Sequence, residues 1–189
     1  MARLIYCMNV SLDGFVADAS GSPAWATVDE EIHSWFNEQQ RRTAVDFYGR
    51  KLWETMTPYW PNAVSDPSSN GVELEFARAW LDTPRVVFSR TLDSVGWGAR
   101  LVRDDPIGEL DRVAASLGPD DEISVAGPTL AAPFVERNLV DEYRLVTHPA
   151  VLGAGLPFWP RLAAPLRLDL VEERRIGTGV VLLAYRARK

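Results

Sequence analysis

The sequence predicts one α/β domain, in which a mainly parallel central sheet carries helices on both faces and ends in an antiparallel hairpin. Short apolar runs alternate with segments of helical spacing along most of the 189 residues, as in strand–helix–strand units. The last two apolar runs, residues 166–176 and 179–186, are joined only by Gly177-Thr178-Gly179, which predicts an antiparallel hairpin. Because no repeat or linker divides the chain, residues 1–189 are predicted to form a single domain.

The first part of the chain predicts two strands, each followed by a helix. Residues 4–10 are apolar almost throughout, which is typical of a central strand, and the Gly/Ser/Pro segment 19–24 predicts a loop. Asp29 or Thr27 is the predicted N-cap of the next helix, since apolar residues recur at helical spacing after them. Residues 44–48 predict a second strand, and a short helix is expected directly after it.

The next part predicts a loop, a helix and two further strands. Residues 57–71 contain three prolines and several polar residues, so a long surface loop is expected there. Residues 72–81 and 107–117 have helical spacing, and the apolar runs at 85–89 and 101–102 predict strands.

A segment in the second half predicts a strand, a glycine turn, a helix and another strand. The apolar runs are residues 123–126 and 143–147, and Pro128 suits the first turn of the helix between them. The turn at Gly127 would offer unpaired N–H groups and a positive helix end to a phosphate, although many such turns bind nothing. Pro133 removes a helical hydrogen bond, so the helix is expected to begin later than Pro128 or to be kinked at its start.

Three predicted strands end in small, hydroxyl or basic residues. These strand ends are Gly49-Arg50-Lys51, Ser89-Arg90-Thr91 and Ala126-Gly127-Pro128-Thr129. Because ligands of open α/β sheets collect at the carboxyl ends of the strands, the three ends together could hold several phosphates of one nucleotide. Arginine, with its bidentate fork, suits an additional 2′-phosphate, whereas each cation taken alone also fits a solvated surface position.

Composition excludes several functional classes. A net charge of −6 and an isoelectric point near 5.0 argue against a nucleic-acid-binding protein. The single cysteine, Cys7, excludes an internal disulfide, and His33 and His148 are too isolated to predict a metal site. The chain shows neither a signal peptide nor a membrane-spanning stretch. It is therefore predicted to be cytoplasmic, with no nucleic-acid or membrane partner.

Four stretches resemble the dihydrofolate reductase-like superfamily. They are Ser11-Leu12-Asp13-Gly14-Phe15, Gly49-Arg50-Lys51-Leu52-Trp53-Glu54, Val86 to Leu92, and Val125 to Phe158. The resemblance is closest to the branch related to the reductase domain of the bifunctional riboflavin-biosynthesis deaminase-reductase. It implies a dihydrofolate reductase-like fold and an NADPH-binding reductase, commonly a homodimer. The zinc signature of the deaminase partner domain is absent, so only the reductase half is represented.

The resemblance also implies cofactor roles for the strand ends. Gly49, Arg50 and Lys51 would contact the phosphates of NADPH, and Ser89 and Arg90 would hold the 2′-phosphate of the adenosine. Thr91 is a further predicted cofactor-binding residue. The pyrophosphate would lie along the turn and first helical residues, which are Ala126, Gly127, Pro128, Thr129 and Leu130. The sequence departs from the family at two of these places. Ala126 replaces the first of two adjacent glycines that relatives often join by a cis peptide bond, and Leu52 replaces a threonine hydroxyl.

On the substrate side, the resemblance implies a carboxylate at the start of the first helix that binds the heterocycle and helps its protonation. The candidates are Asp29, Glu30 and Glu31, and Glu30 is the predicted catalytic residue. Asp13, in the loop after the first strand, is a second predicted catalytic carboxylate, and an Asx turn is its alternative role.

Aromatic residues are the predicted contacts of the substrate ring. Trp25 resembles the tryptophan of the mobile loop of dihydrofolate reductases. Phe36 and Trp53 could flank a planar ring, and core packing is the alternative for both.

The predicted function is hydride transfer from NADPH to a small heterocycle, similar to 5-amino-6-ribosylamino-uracil phosphate or to a pterin. The alternative is a non-catalytic nucleotide-binding homodimer of the same fold, which the substitutions at Ala126 and Leu52 favour. A flavin-binding reductase is a further alternative.

Overall fold

In the computed structural model, which describes residues 2–188, ten strands and six helices follow one another along the chain. The strands are β1 Arg3–Ser11, β2 Phe15–Ala17, β3 Thr43–Gly49, β4 Arg85–Phe88, β5 Arg100–Val102, β6 Glu122–Ala126, β7 Glu142–His148, β8 Leu156–Pro157, β9 Leu168–Ile176 and β10 Val180–Ala187. The helices are α1 Glu30–Arg42, α2 Arg50–Met56, α3 Trp60–Ala63, α4 Gly71–Asp82, α5 Pro106–Ala114 and α6 Pro128–Glu136. Of the described helices, none is long and apolar enough to cross a membrane.

Eight of the strands form one sheet in the order β5-β4-β3-β6-β1-β7-β10-β9. Six neighbouring strands of this sheet, β5, β4, β3, β6, β1 and β7, are parallel to one another. Strand β10 is antiparallel to both of its neighbours, β7 and β9. This arrangement confirms the predicted mainly parallel sheet with an antiparallel C-terminal hairpin. The short strands β2 and β8 pair separately, and sequence reasoning missed both of them as well as α3. With two to four residues, these elements are too short to show a periodic pattern.

Helices cover both faces of the sheet. Helices α5 and α6 pack on one face of the sheet, where Tyr6 and Phe47 belong to the core. Helix α1 packs on the other face, toward which the Cys7 side chain points. Tyr48, on that second face, packs with α2 and α4. Successive residues of a strand point to opposite faces, so the alternation between Phe47 and Tyr48 separates the two layers.

Two helix starts were open questions in the sequence. Asp29 is the N-cap of α1, since its carboxylate accepts a hydrogen bond of 3.0 Å from the backbone N–H of Ile32. Helix α6 begins at Pro128 and continues through Pro133, so the expectation of a later start is wrong. The first turn closes because the N–H groups of Leu130 and Ala131 both donate to the Gly127 carbonyl.

The amino edge of the sheet, where β6 and β7 begin, holds a buried network of charges. The guanidinium of Arg144 donates two hydrogen bonds of 2.9 Å to Glu122 and one of 2.8 Å to Glu142. Arg3 and Arg42 also donate to Glu122. Burial raises the pKa of Glu122, but the hydrogen bonds and positive charges of the arginines outweigh it, so the net pKa lies below its usual value. The network therefore holds Glu122 ionised within the fold.

Candidate functional site

The three predicted strand ends meet at the carboxyl edge of the sheet. Strand β3 lies between β4 and β6, with Gly49 paired to Phe88 and Tyr48 paired to Ala126. Because these three strands are parallel and paired side by side, Ser89, Gly49 and Gly127 lie in that order along the edge. The structure thus brings together the residues that were predicted to hold the cofactor phosphates.

A crevice is expected beside these strand ends, between β6 and β1. Strand β1 leads to α1 on one face of the sheet, and its neighbour β6 leads to α6 on the other face. Adjacent strands whose connections leave toward opposite faces have a ligand crevice between their carboxyl ends. Strand β1 pairs with β6 only as far as Tyr6, while its pairing with β7 continues to Ser11. The last residues of β1 therefore form one wall of the crevice.

The turn at Gly127 is shaped for close approach of a ligand. Gly127 has a φ of 100°, which L side chains rarely adopt, and a Cβ atom built there would meet nothing within 4 Å. The glycine thus leaves open space in front of the start of α6, where Thr129 is exposed. The peptide bonds of the described residues are trans, including that between Ala126 and Gly127. The open backbone fits a pyrophosphate group at the positive end of the helix.

The cations of the carboxyl edge are exposed and only weakly engaged. Arg50 donates to Glu54 at 2.9 Å, and Arg90 donates to Asp104 at 2.9 Å. The Arg90 and Asp104 side chains are 80% and 72% exposed, so solvent screens their attraction. Lys51 is exposed as well. An anionic ligand can therefore engage these cations without breaking a buried interaction.

Ser89 and Thr91 shape the loop that carries Arg90. The hydroxyl oxygen of Ser89 accepts hydrogen bonds from the backbone N–H groups of Thr91, at 3.2 Å, and Leu92, at 3.0 Å. Ser89 is buried, whereas Thr91 is exposed. The buried hydroxyl thus fixes a tight turn, and that turn holds Arg90 at the surface.

A second group of residues lies near the carboxyl ends of β1 and β7, on the face of the sheet that α1 covers. The Nε2 atom of His148, at the end of β7, lies 2.9 Å from Oδ1 of Asn9 on β1. The ring of Trp25 meets the imidazole edge-on, with 5.6 Å between the ring centroids. Burial lowers the pKa of His148, and the charge of Asp29 partly opposes this effect. A neutral imidazole with Nε2–H donating to Asn9 is consistent with these contacts.

Sequence reasoning did not assign Asn9 or His148 to the site. They are 139 residues apart in the chain, and only the pairing of β1 with β7 brings them together. The available signal was positional, since both lie near the carboxyl end of an apolar strand, where ligands collect.

Asp13 is bound by the protein itself. Its carboxylate accepts hydrogen bonds from the Ser11 hydroxyl at 2.7 Å and from the backbone N–H groups of Leu152 and Gly153 at 3.1 and 2.7 Å. These bonds, led by that of Ser11, lower the pKa of Asp13. An acid that is stabilised in its ionised form is a poor proton donor. The contacts instead make Asp13 a clamp between the loop after β1 and the loop after β7.

The three acids at the start of α1 have different surroundings. Besides capping the helix, Asp29 accepts a hydrogen bond of 2.9 Å from the backbone N–H of Thr178 in the β9–β10 turn. These backbone bonds lower the pKa of Asp29. A Cβ atom at Gly177 would lie only 2.5 Å from the Asp29 carboxylate, so the turn needs glycine there. Glu30 and Glu31 are exposed at the first helical positions.

The predicted aromatic contacts lie in different environments. Trp53 is 5% exposed and stacks on Trp80 with 5.7 Å between the ring centroids, so core packing accounts for it. Phe36 is half-buried against Trp35, and Trp25 is half-buried beside His148. Of the three, only Trp25 is in contact with the group formed by Asn9 and His148.

Comparison with known proteins places this chain in a family. A family model described as the RibD C-terminal domain matches residues 2–182. The uncharacterised protein YyaP of Bacillus subtilis is 30% identical over 183 residues, which cover 97% of this chain and 94% of that protein.

Solved structures share the fold. A proposed riboflavin biosynthesis protein from Shewanella sp. PV-4 superposes with a TM-score of 0.76 at 20% identity, covering 100% of both chains. Dihydrofolate reductase from Enterococcus faecalis, in complex with NADP(H) and RAB-propyl, superposes with a TM-score of 0.62 at 9% identity. That match covers 99% of this chain and 97% of the reductase. At these identities the likeness concerns the fold, which is that of dihydrofolate reductase.

Proposed function

This chain belongs to the RibD C-terminal domain family, and from that premise we propose that it is an NADPH-dependent reductase. The proposed substrate is a small heterocycle similar to 5-amino-6-ribosylamino-uracil phosphate or to a pterin. The observation that carries the proposal is the carboxyl edge of the sheet, where an open glycine turn and exposed cations lie beside the place at which the strand order predicts a crevice, between β6 and β1. The protein is further proposed to act as a homodimer in the cytoplasm.

The cofactor phosphates are proposed to bind along the carboxyl edge. Gly49, Arg50 and Lys51 would contact them from β3, and the turn from Ala126 to Leu130 would hold the pyrophosphate at the start of α6. Arg90 would leave Asp104 and pair with the 2′-phosphate, because a bidentate guanidinium–phosphate contact is stronger than a screened surface ion pair. Ser89 and Thr91 would keep the Arg90 loop in position. The fold of the NADP(H)-bound dihydrofolate reductase supports this assignment.

The substrate is proposed to lie beside the carboxyl end of β1, on the face of the sheet that α1 covers. Bound NADPH supplies the hydride, and the chain orients the two reactants. Trp25, together with the hydrogen-bonded pair of Asn9 and His148, forms a wall with both apolar and amide surface. Such a wall suits the ring and polar edge of a heterocycle.

Reduction of the substrate also requires a proton, for which Glu30 is the proposed donor or relay. Asp29 is committed to the helix cap and to Thr178, whereas Glu30 follows it on the first turn and has no such contact among the described residues. Asp13 would act through position rather than chemistry, since it ties the loop after β1 to the loop after β7.

Titration of the full chain with NADPH and, separately, with NADH tests the proposal. Seven tryptophans, including Trp25 beside His148, provide a fluorescence signal. Tight binding with a strong preference for NADPH is the expected result. Binding of neither nucleotide would refute the reductase assignment. Tight NADPH binding without turnover of either substrate class would favour a non-catalytic nucleotide-binding homodimer.

A further inference from the structure

Strand β9 is the outermost strand of the central sheet, on the side of the C-terminal hairpin. It has nine residues, and those from Asp169 to Arg175 are exposed. One side of β9 pairs with β10, so the backbone N–H and C=O groups on its other side have no strand to pair with among residues 2–188. The outermost strand on the opposite side of the sheet, β5, has only three residues. The sheet therefore has one long strand that is paired on one side only.

The charges of β9 are ordered by sign along the strand. Glu172 and Glu173 come first, and Arg174 and Arg175 follow directly. Arg174 approaches Glu172 at 3.7 Å, and both side chains are half exposed, so solvent screens this contact. Glu173 and Arg175 have no hydrogen bond or ion pair within the described part of the chain. The strand thus has an acidic half and a basic half, and each half contains one charge without a partner.

The two unpaired charges lie on the same face of the sheet. Arg175 pairs with Val181 of β10, and the next residue of β10, Leu182, packs with α1. Because side chains alternate along a strand, Arg175 points away from α1, and so does Glu173, two residues earlier. The exposed side chains of Leu170 and Val181 lie on this face as well, at 49% and 39% exposure. Apolar surface therefore lies next to the unpaired charges.

We propose that β9 pairs with β9 of a second copy of this chain in the antiparallel direction, so that one sheet continues across a two-fold axis. Antiparallel pairing places the acidic half of each copy opposite the basic half of the other, whereas parallel pairing would align like charges. An outer strand with charges of a single sign repels its own copy in either direction. The inference rests on the homodimer proposed above and assigns its interface.

The unpaired charges also select the register of the two strands. A two-fold axis normal to the sheet at Arg174 places Glu173 of each copy directly opposite Arg175 of the other, since these residues lie one before and one after it. This register forms two symmetric ion pairs on the face away from α1. On the α1 face the two Arg174 side chains meet at the axis, and Glu172 of each copy lies beside them, which offsets their repulsion.

Charge reversal tests the pairing through the dimerisation constant of the full chain, measured by sedimentation equilibrium. Glu173→Arg places like charges at both symmetric pairs, so it should weaken the dimer roughly tenfold or more. Arg175→Glu should have the same effect. The double variant with both reversals restores the two pairs with their signs exchanged, and it should dimerise nearly as strongly as the wild type. Glu136→Arg, at the exposed end of α6, is the matched control for the change in net charge.

Cross-linking checks the register independently. Arg174→Cys places one thiol from each copy at the axis, where a short bismaleimide should join the two chains. The wild type, whose single cysteine is Cys7, gives the background. Arg161→Cys, an exposed position in the loop before β9, is the matched control and should stay unlinked.

The outcomes separate the interface from the function on which it rests. A dimer that no β9 variant weakens, or that the double variant fails to restore, would overturn the β9 interface and leave the homodimer standing. An unlinked Arg174→Cys dimer would overturn it as well. A wild-type chain that stays monomeric at all concentrations would overturn both the interface and the homodimer. The titration with NADPH and NADH decides the reductase assignment in each case.

Discussion

The two edges of the central sheet use arginine in opposite ways. At the amino edge, Arg144 is 7% exposed and bound on three of its nitrogens, and its partner Glu122 is 2% exposed. At the carboxyl edge, Arg90 is 80% exposed and has one exposed carboxylate as its partner. Burying a charge is favourable only when the protein supplies its counter-charge, whereas an exposed charge keeps its capacity to bind a ligand. The amino edge is accordingly expected to determine stability, and the carboxyl edge to determine binding.

Removing the charge at the centre of the amino edge is the strongest way to test this difference. Glu122→Gln would leave the guanidinium of Arg144 buried without its main counter-charge, and we expect a loss of roughly 3–5 kcal/mol in the free energy of unfolding. Urea denaturation measures this loss. Glu136→Gln, on the exposed end of α6, is the control and should change stability by less than about 0.5 kcal/mol. Similar small effects from both variants would mean that the amino edge contributes no special stability.

The corresponding test at the carboxyl edge is Glu30→Gln. If Glu30 delivers the proton, its loss should lower the turnover of a reducible heterocycle by roughly 10²-fold or more, while NADPH affinity and stability stay unchanged. Steady-state kinetics and the fluorescence titration separate the two quantities. Glu31→Gln provides the matched control, because Glu31 is the next residue of the same helical turn and is also exposed. Equal turnover in wild type and Glu30→Gln would assign the proton to another group.

Arg90→Ala separates binding from stability at one position. Loss of a charge-assisted contact to the 2′-phosphate should weaken NADPH binding roughly 10- to 100-fold and leave NADH binding nearly unchanged. The free energy of unfolding should not change measurably, because Arg90 and Asp104 are both exposed. Arg137→Ala, at the far end of α6, controls for the loss of one positive charge. Equal losses for the two nucleotides would remove the 2′-phosphate assignment from Arg90.

Lowering the pH should reduce the stability that Glu122 contributes at the amino edge. The pKa of Glu122 in the folded protein lies below its ordinary value, because the bonds and charges of Arg144, Arg42 and Arg3 outweigh the effect of burial. A carboxyl whose pKa is lowered by folding adds stability above its unfolded pKa and loses it as the pH falls through the folded pKa. We therefore expect the stability of the wild type to decline more steeply below about pH 4.5 than that of Glu122→Gln. Unfolding curves between pH 7 and pH 3 give this comparison, and parallel declines would contradict it.

The difference between the edges also explains which parts of the structure could be predicted from the sequence. The strand ends at Gly49, Ser89 and Gly127 could be foreseen to meet, because each follows an apolar run and parallel strands end at one edge. The same reasoning placed the C-terminal hairpin, whose link is short. Charge pairs carry no such local signal. Arg144 and Glu122 are 22 residues apart, and their contact depends on how β6 and β7 flank β1.

Contacts between single polar residues far apart in the sequence were equally hidden from sequence reasoning. The clamp from Asp13 to Gly153 spans 140 residues, and the pair of Asn9 and His148 spans 139. Asp13 was a predicted catalytic carboxylate because, in the family that the sequence resembles, the loop after the first strand lies near the nicotinamide. Only the folded chain shows that backbone N–H groups from a distant loop occupy its carboxylate. Strand order can be inferred from patterns, whereas the partners of single polar residues require the tertiary arrangement.

The smallest expected effect comes from replacing Asp104, and it measures how weakly the carboxyl edge binds its cations. In the free protein Arg90 is paired with Asp104, and that pair must open before the guanidinium can engage a phosphate. Asp104→Asn removes the competing charge, so NADPH should bind a few-fold more tightly, in line with the roughly 0.2–1 kcal/mol of an exposed ion pair. Fluorescence titration at low salt measures the gain, which should shrink as salt screens the pair. Asp93→Asn, another exposed acid close to the same loop, is the control. Weaker NADPH binding in Asp104→Asn would mean that Asp104 orients Arg90 toward the ligand instead of competing for it.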